Sequence, residues 1–266
     1  MSLDNAFFTK EKTCPICSQI FFVTRVRSSY IRVKERKADF MLLYEGVNPL
    51  HYQIFVCPSC SYAAQDNSFD SPGGDPRKLT RALVTLRKKE PSFQGLRSLP
   101  VVLRSYELAI QTAQLCLEPA SVIASLCLKS AWIAREMDDE AMVYFYIKEA
   151  IPLYEKAYES EHCVGKMTST ALSYLIGELH RQVGNYDVAI RWFSRSISEN
   201  SKQIKKEPEI ERLARQQWSL AKEEFKAEAQ SDNPKASAIP QVAITSPDKK
   251  KKDPPIVPPV KKAKKN

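Results

Sequence analysis

The sequence predicts an α+β protein, mainly α: a small zinc-ribbon-like β domain, a tetratricopeptide-like antiparallel helical array, and a basic tail. Three observations carry this. The tetrapeptides Cys14-Pro-Ile-Cys17 and Cys57-Pro-Ser-Cys60 bracket short β-favouring runs. From Pro76 onward the apolar period becomes that of helices. Beyond about Lys226, aromatic residues and glycine vanish while prolines and lysine runs take over.

A chain of 266 residues, 43% of them apolar, has ample material for a core. No apolar run of signal-peptide length precedes Cys14, and nowhere do eighteen uncharged apolar residues follow one another, so the expected compartment is the cytoplasm. Thiols stay reduced there, and seven cysteines read as metal ligands plus buried thiols rather than a disulfide framework. The net charge of +9 is concentrated at the end: residues 226–266 carry ten lysines against four acidic residues. The body keeps only about +3, which gives no basic footprint for a duplex.

Residues 1–64 form the first expected domain. The runs FFVTRVR, SYIRV, FMLLYE and HYQIFV, between residues 21 and 56, are rich in aromatic and β-branched residues and read as strands. Two residues between the cysteines of each pair let both sulfurs face one ion, so Cys14, Cys17, Cys57 and Cys60 together complete a tetrahedral S4 set for one structural zinc. The gap of 39 residues between pairs requires an enlarged ribbon insert. Redox-active C-x-x-C chemistry and an iron or iron-sulfur centre are the competing readings. His51 lies six residues before Cys57 and is a strand or loop residue in preference to a stray ligand. Arg25, Arg27 and Arg32 are available to offset the −2 charge of a zinc tetrathiolate. Ser18 and Ser61 follow the pairs, where many ribbons have glycine.

The turn formers QDNSFDSPGGDP open a linker over 65–98 that holds a short helix. The helical domain is expected over 99–225. Val102, Tyr106, Ala109, Ile110, Ala113 and Leu117 share one face of its first helix, and amphipathic stretches follow at 119–136, 139–160, 168–183, 186–200 and 208–227. The segment from Thr170 to Asn200 fits the tetratricopeptide pattern, with Ile176 and Gly177 at the helix crossing, Gly184-Asn185-Tyr186 at the turn, and Ala189 and Phe193 on the second helix. Ser173 and Ser201 replace the consensus tryptophan and closing proline. Leu128, Trp132, Ala150, Tyr154 and Ala157 outline a second repeat, and the last helix would cap the array. Inner helices of such arrays line a groove. Tyr174, Glu178, Arg181 and Gln182 fall on the face expected to point into it, and they are the predicted partner-binding residues. Cys116, Cys127 and Cys163 lie beside apolar residues as core thiols. Residues 226–266 cannot bury enough apolar area to offset chain entropy and are expected to be disordered.

With these residues in view, the order of motifs resembles the bacterial family known as domain of unknown function 2225. The likeness rests on CPIC, RVRSSYIRV, YEGVNPLHYQIFVCPSCSYAA, SYELAIQTAQLC, AWIAREM, YLIGELHRQVGNYDVAIRWFS and ARQQW, over roughly residues 7–225. It implies a bacterial cytoplasmic protein with zinc-ribbon and tetratricopeptide-like parts, and it brings no established activity. Ser18 and Ser61 depart from the glycines usual in that family.

The expected function is that of a non-enzymatic adaptor or scaffold that takes another protein in its helical groove. The alternatives are nucleic-acid binding through the ribbon and basic tail, and a thiol redox enzyme using the cysteine pairs. None of the three histidines sits in a nucleophile motif; His162 adjoins Cys163, but neighbours on a helix point about 100° apart. Gly73-Gly74 lacks the lysine of a phosphate loop, and Asp138 reads as a helix cap.

Overall fold

The computed structural model describes residues 3–86, 90–161 and 167–230. The readings of His162, Cys163 and most of the lysine-proline tail concern residues outside these ranges.

Three antiparallel strand pairs come first. β1 (Phe7–Thr13) pairs with β2 (Ile20–Val26), β3 (Val33–Arg36) with β4 (Leu42–Tyr44), and β5 (Ile54–Val56) with β6 (Ala63–Gln65). The cysteine tetrapeptides are the tips of the first and third pairs, whose last registers are Thr13↔Ile20 and Val56↔Ala63. The strand expected to run straight into Cys57 is β5. Neither β1 nor β6 belongs to the strands expected from the sequence.

Among the described residues seven α-helices follow: α1 (Pro76–Leu86), α2 (Leu99–Leu115), α3 (Ala120–Glu136), α4 (Glu140–Ser160), α5 (Ser169–Gln182), α6 (Tyr186–Lys202) and α7 (Pro208–Gln230). The predicted helical stretches match these closely. Two details differ. The cap of α4 is Asp139, which accepts from the Met142 N–H at 3.0 Å, while Asp138 turns the chain at φ +55°. α7 runs to Gln230, past the expected start of the tail at Lys226.

From α2 to α7 each helix packs on the next, and α5 also touches α7. Gly177 is required where α5 crosses α6: a Cβ there would lie 2.9 Å from two Phe193 ring carbons, and Phe193 is fully buried. Gly184 makes the turn between the two helices at φ +82°.

The boundary expected at residue 64 is not a boundary in the core. Leu50, Ile54, Val56 and Ala63 share one apolar cluster with Val102, Tyr106, Ala109 and Ala113 of α2. Tyr106 donates its hydroxyl to the Leu50 carbonyl at 2.9 Å, and the Ala63 N–H donates to Thr112 Oγ1 at 3.3 Å. The described residues all fall in one compact unit. The third strand pair is too short to stand alone, so its apolar side is covered by α2.

Candidate metal centre and the face of α3 and α5

Both cysteine tips fold in the same way. The Cys14 N–H donates to the Gln19 carbonyl at 2.9 Å, and that of Cys57 to the Tyr62 carbonyl at 2.9 Å. The Ser18 N–H donates to the Cys14 carbonyl at 2.9 Å, and that of Ser61 to the Cys57 carbonyl at 3.0 Å. Ser18 and Ser61 take φ values of 59° and 61°, the left-handed conformation that glycine adopts without strain. Serine thus holds, in each turn, a conformation that favours glycine, and both turns make the same backbone hydrogen bonds.

The result is a four-sulfur cluster. The sulfurs of Cys14, Cys17, Cys57 and Cys60 all lie within 4.8 Å of one another, close enough to hold a metal ion. Across the two tips, Cys14 and Cys60 are 3.6 Å apart and Cys17 and Cys57 3.5 Å apart. A tetrahedron with metal–sulfur bonds of about 2.3 Å has sulfur edges of about 3.8 Å, so the set fits a tetrahedral ion. Backbone N–H groups of the two turns favour the thiolates of Cys14, Cys57 and Cys60, against the burial that disfavours them. Hydrogen bonds to the other sulfurs hold the Cys57 thiol down, whereas Cys14 is pushed up, first by its bond with Cys57, and Cys60 is raised by Cys14 and Cys57. Four sulfurs this close ionise together only around a cation.

The arginines considered for charge compensation are engaged elsewhere or exposed. Arg25 pairs with Asp66 at 2.8 Å, Arg27 donates to the Asn5 carbonyl at 3.1 Å, and Arg32 is exposed. The N–H groups of the turns supply the local compensation instead. His51 lies away from the cluster, with Nε2 2.8 Å from the Glu136 carboxylate. Behind the sulfurs, Phe21, Phe55, Tyr62, Phe69, Leu79, Leu83 and Cys116 form a small core, so α1 and the end of α2 are packed on the same cluster. Cys127 is buried as expected of a core thiol, and burial pushes it up to about 12.

Of the predicted partner-binding residues, Tyr174 and Glu178 are covered, and Arg181 and Gln182 are half-buried and held in polar contacts. Tyr174 is 0% exposed and Glu178 1% exposed. Arg181 bonds to Glu178 at 2.9 Å and to Glu224 of α7 at 2.8 Å, and Gln182 donates to Glu178 at 2.9 Å. What covers Tyr174 is the turn between β3 and β4. The Tyr174 hydroxyl donates to the Ala38 carbonyl at 2.8 Å, and its ring lies 5.3 Å from that of Phe40. Asp39, 1% exposed, accepts from Trp132 Nε1 at 3.1 Å and from Arg135 Nη1 at 2.8 Å, both on α3. Helical spacing shows which residues share a face, but not what lies on it. The segment KADF carries no pattern of its own, so nothing in the sequence marks Asp39.

Residues 7–221 match the family described as "Uncharacterized protein conserved in bacteria (DUF2225)". The chain belongs to this family. An uncharacterized protein of Borreliella burgdorferi is 28% identical to this DUF2225 chain over 156 residues, which is 51% of this chain and 55% of the relative. The chain thus spans about half the length of the curated relative it matches. No solved structure matches it. Among the described residues, no helix is long and apolar enough to cross a membrane.

Proposed function

We propose that this chain is a non-enzymatic adaptor or scaffold of a bacterial cytoplasm, in which one structural zinc ion braces a tetratricopeptide-like helical part that receives another protein. The observation that carries the reading is the cluster of Cys14, Cys17, Cys57 and Cys60 at two hairpin tips with matching backbone hydrogen bonds. Four thiolates fill a tetrahedral ion's coordination sphere, which is the character of a structural site and leaves no position for substrate. Zinc is favoured because a closed all-thiolate tetrahedron suits an ion with no geometric demand of its own. When bound, it would join residues 14–19 to residues 57–62 and hold the small core on α1 and α2. A thiol redox role draws no support from the fold, since both C-x-x-C pairs sit between strands and not at a helix N-terminus. The helical part supplies α3–α4 and α5–α6 as consecutive hairpins with α7 packed on α6, the layout of a short repeat array.

Metal analysis of the freshly isolated full chain tests the first half. One zinc per chain is expected, and cobalt substitution should give the intense visible bands of a tetrahedral thiolate complex. Absence of metal, or iron-sulfur absorbance, would overturn it.

A further inference from the structure

The turn from Lys37 to Met41 is seated on the helices as a bound peptide would be. Three of its features are read separately: the Asp39 carboxylate by the Trp132 indole N–H and the Arg135 guanidinium, the Ala38 carbonyl by the Tyr174 hydroxyl, and the Phe40 ring by the Tyr174 ring and by Arg36, 4.2 Å from the ring centre. Arg135 is held in position from behind by Gln182 Oε1 at 3.0 Å. Tryptophan, tyrosine and arginine converging on one short segment are the residue types that dominate peptide-binding hot spots.

The strands that carry the seated segment join no larger sheet. β3 and β4 pair only with each other, their register shifts between Val33 and Glu35, and all four residues of β3 are exposed. An isolated two-stranded hairpin is marginal in water, so docking of its turn is what orders it. Phe40 also sits at φ +68°, a conformation unfavourable for a residue with a Cβ. Beside the seated turn, a cleft of about 810 Å3 stays open, with Arg36 and Phe40 on one wall and Ser125, Tyr154, Ala171 and Ile210 on the others. A segment replacing the turn would find room there for its flanking residues.

We propose that the face of α3 and α5 is a peptide-docking site that the chain occupies with its own Ala38-Asp39-Phe40 turn, and that its partner is a protein segment presenting aspartate followed by an aromatic residue. The proposal deepens the adaptor reading and rests on it, and it is independent of the metal.

A fluorescent synthetic peptide with the sequence of residues 33–44 serves as probe, against a second peptide carrying asparagine in place of its aspartate. The receptor is the full chain, as wild type, Asp39→Asn and Phe40→Ala, with zinc content and melting temperature as controls of folding. The variants with a weakened internal turn should bind the aspartate peptide at least tenfold more tightly than wild type, and added Arg135→Ala should abolish that gain. The asparagine peptide should bind at least tenfold more weakly. Folded variants that bind no more tightly than wild type, or that take both peptides equally, would overturn the proposal. Should both variants fail to fold, amide exchange in the wild-type chain decides. Faster exchange in residues 37–41 than in α3 and α5 supports a displaceable turn, and equal protection overturns it. Metal retained without peptide binding removes the docking site and leaves the zinc reading standing; metal absent with peptide bound does the reverse.

Discussion

Tyr174 donates its hydroxyl to the Ala38 carbonyl across 136 positions of sequence, at 2.8 Å, and the contact joins the middle strand pair to the helical array. Tyr174 also packs on Phe193, 5.8 Å between ring centres, so it belongs to the α5–α6 core and to the turn's seat at once. Truncation there therefore acts on stability. Tyr174→Ala should cost about 3–5 kcal/mol, the range for emptying a buried aromatic site, and Tyr174→Phe about 1 kcal/mol for the lost hydrogen bond. Urea denaturation of both variants measures this. An unchanged midpoint for Tyr174→Ala would mean that the turn does not rest on this ring.

The four-cysteine cluster makes a second prediction, because on the proposed reading a bound ion's binding energy is folding energy. Cys14→Ser and Cys57→Ser each break one tip and should each release the ion. The loss should reach the helices, since the core behind the sulfurs includes Leu79, Leu83 and Cys116. Metal content together with near-ultraviolet circular dichroism reports both effects. A variant that loses its metal with unchanged packing around Tyr62 and Phe69 would show that the two are not coupled.

Ser18 and Ser61 offer a gain in place of a loss. Each holds a left-handed conformation at φ 59° and 61°, where a Cβ is strained by roughly 1 kcal/mol. Ser18→Gly should raise the stability of the metal-loaded chain by about 0.5–1 kcal/mol, less the added entropy of the unfolded glycine. Ser18→Ala keeps the Cβ and should give no such gain, so the difference between the two melting temperatures isolates the backbone effect.

How far the sequence disclosed this structure follows from what each signal depends on. The C-P-x-C repeat is local geometry that only needs the tips to meet, and the six longest helices lie where their apolar period places them. Gly177 and Phe193 could be paired in advance because their spacing belongs to one helical hairpin. β1 was hidden because FFTKEKT is largely polar and its inward positions are only half-buried. The covering of Tyr174 and Glu178 was hidden for a different reason. A helical face is a property of nearby residues, whereas its occupant, Asp39 with its neighbours, arrives from more than ninety residues away.

The crossing of α5 and α6 gives a steric prediction. Alanine at 177 would put its Cβ 2.9 Å from Cδ1 and Cε1 of Phe193 and 3.2 Å from Trp192 Cβ. The Phe193 ring is fully enclosed and has no exposed side to move toward. Gly177→Ala should therefore destabilise by about 1–3 kcal/mol in spite of alanine's better helix propensity. The double change Gly177→Ala with Phe193→Leu should recover part of that loss, and a coupling of zero in the resulting double-mutant cycle would place the strain elsewhere.

Lys129 yields the last prediction, from pH. Its ammonium donates to Gln65 Oε1 at 2.8 Å, and burial holds it down to about 8, with Asp66 too weak an influence to restore it. An unfolded lysine titrates near 10.4. Between pH 8 and about 10.4 the unfolded chain therefore binds more protons at this site than the folded chain, and the Lys129 contribution to stability rises with pH across that window. At pH 7 both forms are protonated and the folded state bears the full desolvation cost. Lys129→Met removes the charge while keeping the apolar stem, so it should stabilise the chain at pH 7 by about 1–2 kcal/mol, a figure reduced for partial exposure and for the lost bond to Gln65. Tyrosine ionisation in the unfolded chain acts in the same pH range with the opposite sign, since Tyr106, Tyr154 and Tyr174 are all raised by burial. That contribution is common to both proteins and cancels in their difference. The stability gap between Lys129→Met and wild type, measured by urea denaturation, should shrink steadily from pH 8 to pH 10. A gap independent of pH would mean that Lys129 keeps its ordinary proton affinity in the folded chain.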